Sequence, residues 1–206
     1  MNKYEKRSMS AYNQKADRYE DTPEGQYTRN VNELLLENIF VPAGSRVLDI
    51  ACGNGRFLSK LSRTHQLFSG YGIDIAENMV EKAVKLNPSM SFEVARCEQL
   101  PFLDASFDVI TVNAAFHHFP HVTAFVIEAS RVLKTGGMIY IAEIYYPGIL
   151  KTLFNIYLKF SQEGDVRIYK PDEIARLLSV AGFGEAVFKI IGQIQIIGAR
   201  KINLRR

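Results

Sequence analysis

The chain has 206 residues, 47% of them hydrophobic, which suits one globular domain with a sizeable core and excludes a disordered protein. Its 25 basic and 22 acidic residues leave a net charge of +3, too small an excess to support a nucleic-acid or membrane surface. Cys52 and Cys97 stand in no CxxC or Cys/His metal spacing, and both read as free thiols of a reducing compartment.

The polar N-terminus leads into no hydrophobic signal region. Residues 8–19 read as a polar, amphipathic helix, broken by Asp21-Thr22-Pro23-Glu24-Gly25. A second helix is expected over 28–39, with Val31, Leu34, Leu35 and Ile39 on one face. An alternation of apolar strands and helices then begins. Strands are expected at 46–51, 69–75, 90–95, 107–113 and 138–144. Helices are expected at 56–63, 77–86 and 121–133, the last ended by a Lys134-Thr135-Gly136-Gly137 turn. Residues 147–160 form an apolar, aromatic helix or loop outside this order. Pro171 starts a helix to 181 that Gly182 closes, and strands at 183–191 and 193–199 form a hairpin around Gly192. Arg200, Lys201, Arg205 and Arg206 read as a solvated basic tail. The fold class is α/β, a Rossmann-like doubly wound sheet, mostly parallel, with a C-terminal antiparallel hairpin strand. The most apolar window, 138–150, is broken by Glu143, Pro147 and Gly148, so no membrane span is expected. The organisation is a single domain, 1–206. It comprises N-terminal helices (1–40), an alternating core (46–144), an irregular insertion (145–170) and a closing helix and hairpin (171–206).

The most informative stretch is Val47-Leu48-Asp49-Ile50-Ala51-Cys52-Gly53-Asn54-Gly55, an apolar strand that ends in an acid and opens into small residues at alternate positions. Glycine lets a ligand approach the backbone, and the helix that follows offers unpaired N–H groups. Roughly 20 positions on, Asp74 closes the next strand, where a carboxylate can accept from both hydroxyls of a ribose. A helix N-cap is the structural alternative for Asp74. The glycine rhythm is tighter than the G-x-G-x-x-G of a nicotinamide site, which makes a dehydrogenase a distant reading.

These motifs together resemble class I S-adenosylmethionine-dependent methyltransferases of the small-molecule type that includes ubiquinone and menaquinone biosynthesis enzymes. The residues that carry the resemblance span most of the chain. They are Tyr12 to Tyr19, Asp49 to Gly55 with Ala51 where glycine is usual, Gly72-Ile73-Asp74, Ala95 to Phe102, Ser106 to Ile110, Phe116-His117-His118, and Glu128 to Gly137. The resemblance implies S-adenosylmethionine as cofactor. Asp49 would orient the glycine loop and the methionine ammonium, and Ala51, Gly53 and Gly55 would face the methionine part. Asp74 would hold the ribose, Ile75 would pack on adenine, and Cys97 would contact adenine through its backbone N–H. Asn113 belongs to the same cofactor set. The family usually places an aspartate where Arg96 stands. A guanidinium only donates, so the acceptor for the adenine amino group must come from elsewhere.

His117 and His118 leave the fourth strand at its carboxyl end and are the candidate catalytic pair, since histidine titrates near neutrality. Lining the pocket is the structural alternative. No metal is expected, because two adjacent histidines make no site and no carboxylate stands at ligand spacing beside them. Tyr12, Tyr19, Tyr145 and Tyr146 are candidates to line a lid or the acceptor pocket; aromatic faces attract a sulfonium cation. Asn113-Ala114-Ala115-Phe116 lacks the paired prolines with which related enzymes clamp a nucleobase. The expected partner is therefore a small-molecule acceptor, with no nucleic acid and no membrane span, in the cytoplasm. RNA or protein methylation and non-catalytic binding of S-adenosylmethionine are the alternatives.

Overall fold

The computed structural model describes residues 1–65, 68–158 and 160–203. Its centre is a seven-stranded sheet of order β3-β2-β1-β4-β5-β7-β6. The strands are β1 (Arg46–Ile50), β2 (Ser69–Asp74), β3 (Ser91–Val94), β4 (Phe107–Asn113), β5 (Leu133–Ile144), β6 (Val187–Ile191) and β7 (Ile194–Arg200). The pairings among β1 to β5 are parallel, and β7 runs antiparallel to both β5 and β6. The chain order reverses between β1 and β4, so the crevice beyond their carboxyl ends is the switch point where open α/β sheets take ligands.

Alternate residues of each central strand feed opposite cores, as the period of two requires. Leu48 and Ile50 of β1 join Ile110 and Val112 of β4 under Phe125, Val126 and Ala129 of α5 (Val122–Val132) and Ile174 and Leu178 of α7 (Pro171–Val180). Val47 and Val109 face the other way. They pack with Val31 and Leu35 of α2 (Pro23–Leu36) and Phe57, Leu58 and Leu61 of α3 (Arg56–Thr64).

The N-terminal helices depart from the sequence reading. α1 covers Lys3–Lys15, starting earlier than expected, because Asn2 and Glu5 form a capping box that satisfies the first-turn N–H groups. Ala16–Asp21 is a tight 3-10 segment. The Thr22-Pro23 pair read as a breaker starts α2: Thr22 accepts from Gly25 N–H, and Pro23 occupies the first turn, where its missing N–H costs nothing. Residues 134–137, expected as a turn, lie within β5. Leu133 pairs with Phe107 and Met138 with Val109, so the intervening residues bulge between two paired positions. The basic tail is partly structural: Lys201 Nζ donates to the Ser130 and Leu133 carbonyls and Arg200 to that of Gly136, while Arg205 and Arg206 lie outside the described residues.

α4 (Glu77–Leu86) follows β2 and receives the N-terminal unit: Asn78 N–H donates to Asn13 Oδ1 at 2.9 Å. α6 (Gly148–Leu158) buries no side chain and exposes Ile149, Leu150, Leu153, Ile156 and Tyr157. Asn155 ties it to Ile168 by reciprocal hydrogen bonds of 2.7 and 3.1 Å. No helix among the described residues is long and apolar enough to cross a membrane.

Candidate cofactor site and its histidine cluster

A crevice of about 960 Å³, its open mouth included, lies over the carboxyl ends of β1, β2 and β4 and under α1. Of the residues singled out in the sequence, Asp49, Ala51, Gly53, Asp74, Ile75, Cys97, Asn113, His118, Tyr12 and Tyr19 line it. Gly55, His117, Tyr145 and Tyr146 do not. Tyr146 instead stacks on Phe154 of α6 at 4.0 Å, and Tyr145 N–H donates to the Gln193 carbonyl.

The two glycines of the loop do different work. A Cβ on Gly53 (φ +52°) would meet nothing within 4 Å, so that position opens onto the crevice. At Gly55 (φ +74°) a Cβ would fall 2.8 Å from Asn87 Nδ2 and 2.9 Å from Ala83 Cβ. Gly55 is thus glycine for packing against α4, while Gly53 leaves room for a ligand. Ala51 and Ala114, at the ends of adjacent strands, both hold positive φ (59° and 48°), a conformation that costs an L-residue roughly 1–2 kcal/mol and that clusters at functional sites.

The acids divide the labour otherwise than expected. The Asp74 carboxylate accepts from Gly53 N–H at 2.9 Å and from Ala76 N–H at 2.8 Å, so it braces the glycine loop and the turn into α4 together. Asp49 accepts instead from Thr111 Oγ1 at 2.7 Å and Asn113 Nδ2 at 3.1 Å, the first a register neighbour across β4. Asp49 is 1% exposed, and burial, only partly offset by those two donors, pushes its pKa up to about 7. Burial likewise raises Asp74, against the backbone N–H groups that favour its charge.

Arg96 points its guanidinium at Glu5 of α1, Nη2 to Oε1 at 2.6 Å, and lies beside Glu98. Glu98 Oε1, Asn32 Oδ1 and Asn113 Oδ1 are buried on residues that line the crevice and have no hydrogen-bond partner. An unmet buried acceptor costs about 1–3 kcal/mol, so these atoms suit a ligand that brings donors. S-adenosylmethionine brings an ammonium, an adenine amino group and ribose hydroxyls, and the crevice carboxylates Asp49, Asp74, Glu5 and Glu98 suit its positive sulfonium. The residues present therefore fit the cofactor.

At the far end, Phe116–His118 forms a short 3-10 turn after β4. Both imidazoles meet carboxylates, contrary to the sequence expectation that none stood beside them. His117 Nδ1 lies 2.8 Å from Glu143 Oε1, and its backbone N–H donates to Glu143 Oε2 at 3.1 Å. Glu143 is wholly buried on β5. Asp165 Oδ1 lies 3.4 Å from His117 Nε2 and 3.3 Å from His118 Nδ1. His118 Nε2 in turn meets the Tyr12 hydroxyl at 3.0 Å, joining α1 to the exit of β4. Burial pulls His117 down, but Glu143 and Asp165 outweigh it and leave its pKa raised. Burial and the neighbouring His117 together press His118 down to about 4.

Sequence reasoning missed Glu143 and Asp165. Glu143 left a signal, a lone acid inside the apolar run Met138–Ile144; Asp165 left none, because it sits in an irregular segment far along the chain. Glu5 was missed as well, although the Asn2-x-x-Glu5 spacing of a capping box is its sequence signal.

Strand order, switch-point crevice and acid-braced glycine loop make the chain similar to S-adenosylmethionine-dependent methyltransferase domains. Residues 48–141 match the family model described as a methyltransferase domain. Among curated proteins, the chain is 34% identical over 116 residues to 27-O-demethylrifamycin SV methyltransferase of Amycolatopsis mediterranei, covering 53% of this chain and 42% of that protein. It is 31% identical over 132 residues to demethylmenaquinone methyltransferase of Staphylococcus aureus, covering 61% and 55%. The chain thus spans about half the length of the curated relatives it matches. The fold is shared with the YcgJ protein from Bacillus subtilis, with a TM-score of 0.74 at 21% identity over 85% of this chain and 99% of that one.

Proposed function

We propose that the protein transfers a methyl group from S-adenosylmethionine to a small-molecule acceptor in the cytoplasm, without nucleic acid as substrate. The observation that carries this reading is the crevice itself, where two strand-end acids, an open glycine and unmet acceptors converge at the switch point. When bound, S-adenosylmethionine supplies an electrophilic methyl group on a sulfonium. The chain's own task is then to align the acceptor with it and exclude water, and holding the reactants in line can lower the barrier without a strong base.

In this reading Asp49 and Asn113 face the methionine ammonium and Gly53 its carboxylate end. Asp74 keeps lone pairs for the ribose beyond the two that brace the loop. Ile75 and Cys97 flank the adenine. Glu98, not residue 96, accepts from the adenine amino group, because its Oε1 is free while Arg96 is engaged by Glu5. Residues 1–40 act as the lid over a cofactor core at 46–144. The 145–170 segment borders the acceptor at the His118 end, and residues 171–206 close the sheet of a single domain. Tyr12 and Tyr19 belong to the lid. The relatives named for a rifamycin and a menaquinone precursor support a non-polymeric acceptor.

Calorimetry with S-adenosylhomocysteine tests the reading. Wild-type protein binds, and Asp74→Ala weakens binding roughly 10–100-fold, the worth of one to two hydrogen bonds to a charged group. Glu98→Ala weakens it about tenfold by the same measure. Absence of binding, or binding unchanged in Asp74→Ala, overturns the cofactor assignment.

A further inference from the structure

We propose that His117, His118 and Asp165 form a binding site for a divalent first-row transition-metal ion beside the crevice. Each offers one ligand atom, and the three atoms lie within 4.8 Å of one another. The separations of 3.4 and 3.3 Å between Asp165 Oδ1 and the two ring nitrogens matter most. Ligands at roughly 2.0–2.2 Å from one ion stand about 3.0–3.5 Å apart at tetrahedral or octahedral angles. Two of the three separations therefore already match those of ligands around one ion, and the third stays within 4.8 Å.

The rest of each ring is already committed to a supporting role. His117 presents Nε2 to the cluster while its Nδ1 faces the buried Glu143. His118 presents Nδ1 while its Nε2 faces the Tyr12 hydroxyl. An outer hydrogen bond on the non-ligating nitrogen is how proteins fix the tautomer and orientation of a metal-binding imidazole, a carboxylate being a common partner. His118 Nδ1 is itself buried without a hydrogen-bond partner, since its approach to Asp165 lacks hydrogen-bond alignment. An ion between them satisfies that nitrogen.

Charge points the same way. Glu143 and Asp165 bring two carboxylates into a largely buried space. One protonated imidazole leaves an uncompensated negative charge, which is costly away from water, whereas a divalent ion with two neutral rings balances both. Two imidazoles and one carboxylate suit zinc, iron, cobalt or nickel better than magnesium or calcium, which prefer all-oxygen shells. The ligands are also well held: Val166 and Arg167 N–H both donate to the His117 carbonyl, pinning Asp165 against the turn that carries the histidines. His118 is shared between the cluster and the crevice wall, so the ion would sit at the acceptor end.

This inference does not depend on methyl transfer, and its readout is the metal alone. Protein stripped with a chelator is titrated with Co²⁺ and followed by visible absorption, then competed with Zn²⁺. The expected result is one equivalent of Co²⁺ bound with the absorption of a nitrogen-ligated ion. Asp165→Ala and His117→Ala should each weaken binding by roughly 10–100-fold or more, given that even outer-partner changes cost that much. Asp165→Asn serves as the isosteric variant where Ala perturbs folding, and Glu98→Ala should bind Co²⁺ as wild type. S-adenosylhomocysteine binding is measured on the same samples. Stripped wild type that binds the nucleoside but neither metal overturns the metal site alone, as does Co²⁺ affinity unchanged in both Asp165 variants. Metal binding without nucleoside binding overturns only the cofactor reading.

Discussion

Asp49 is a carboxyl group whose free energy depends on what enters the crevice. Its pKa of about 7, against an ordinary 3.8, means that the folded state holds a proton the unfolded chain has already released. Stability from this group is fully present below about pH 4 and is lost as pH rises through about 7, by up to about 4 kcal/mol at 1.36 kcal/mol per unit. Asp74, raised in the same direction, adds to the slope. Urea unfolding of the ligand-free protein at several pH values should therefore show wild type losing stability relative to Asp49→Asn as pH rises from acid to neutral. Equal slopes in the two proteins would contradict the buried-acid account. A ligand ammonium reverses the balance by favouring the carboxylate, so S-adenosylhomocysteine binding near pH 6 should release protons. Calorimetry in buffers of different ionisation enthalpy measures this directly.

At the scale of elements, α1 is coupled to the exit of β4 by few contacts, and Tyr12 is central among them. Its ring packs edge-on to His118 at 5.5 Å and against Tyr19 at 5.9 Å, and its hydroxyl makes the 3.0 Å bond. Tyr12→Phe keeps the rings and removes about 0.5–1.5 kcal/mol of hydrogen bonding. We expect release of S-adenosylhomocysteine to quicken roughly 2–10-fold in stopped-flow experiments on this variant. An unchanged rate would mean that α1 does not gate the crevice. The same elements show what the sequence made readable. β1 and β4 were plain because strands covered on both faces are largely apolar, and the acids near the ends of β1 and β2 stood out in their short strands. The start of α1 was not, because Ser8 to Tyr19 was judged by its polar face while the capping residues Asn2 and Glu5 lie before it. The histidine cluster was legible only by half: His117 and His118 are adjacent in sequence, but Glu143 comes from β5 and Asp165 from an aperiodic segment. Their convergence is a property of the tertiary fold.

Over the whole molecule, a chain of net charge +3 turns its acids inward at one end of the sheet. The cations near that crevice are already spoken for, Arg96 by Glu5 and Arg56 by Glu20. The site's polarity is therefore set locally and is independent of the global balance, which is why net charge could not describe the pocket.

Glu5 carries one consequence further. One of its oxygens closes the first turn of α1 on Asn2 N–H, while the other holds Arg96 at the floor of the crevice. Helix nucleation in α1 and the placing of Arg96 in the crevice wall thus draw on a single carboxyl group. Amides of α1 should exchange more slowly with deuterium when S-adenosylhomocysteine is bound, and Glu5→Gln should reduce that protection. On that outcome the first turn of α1 reports on a ligand seated over strands that begin some forty residues later.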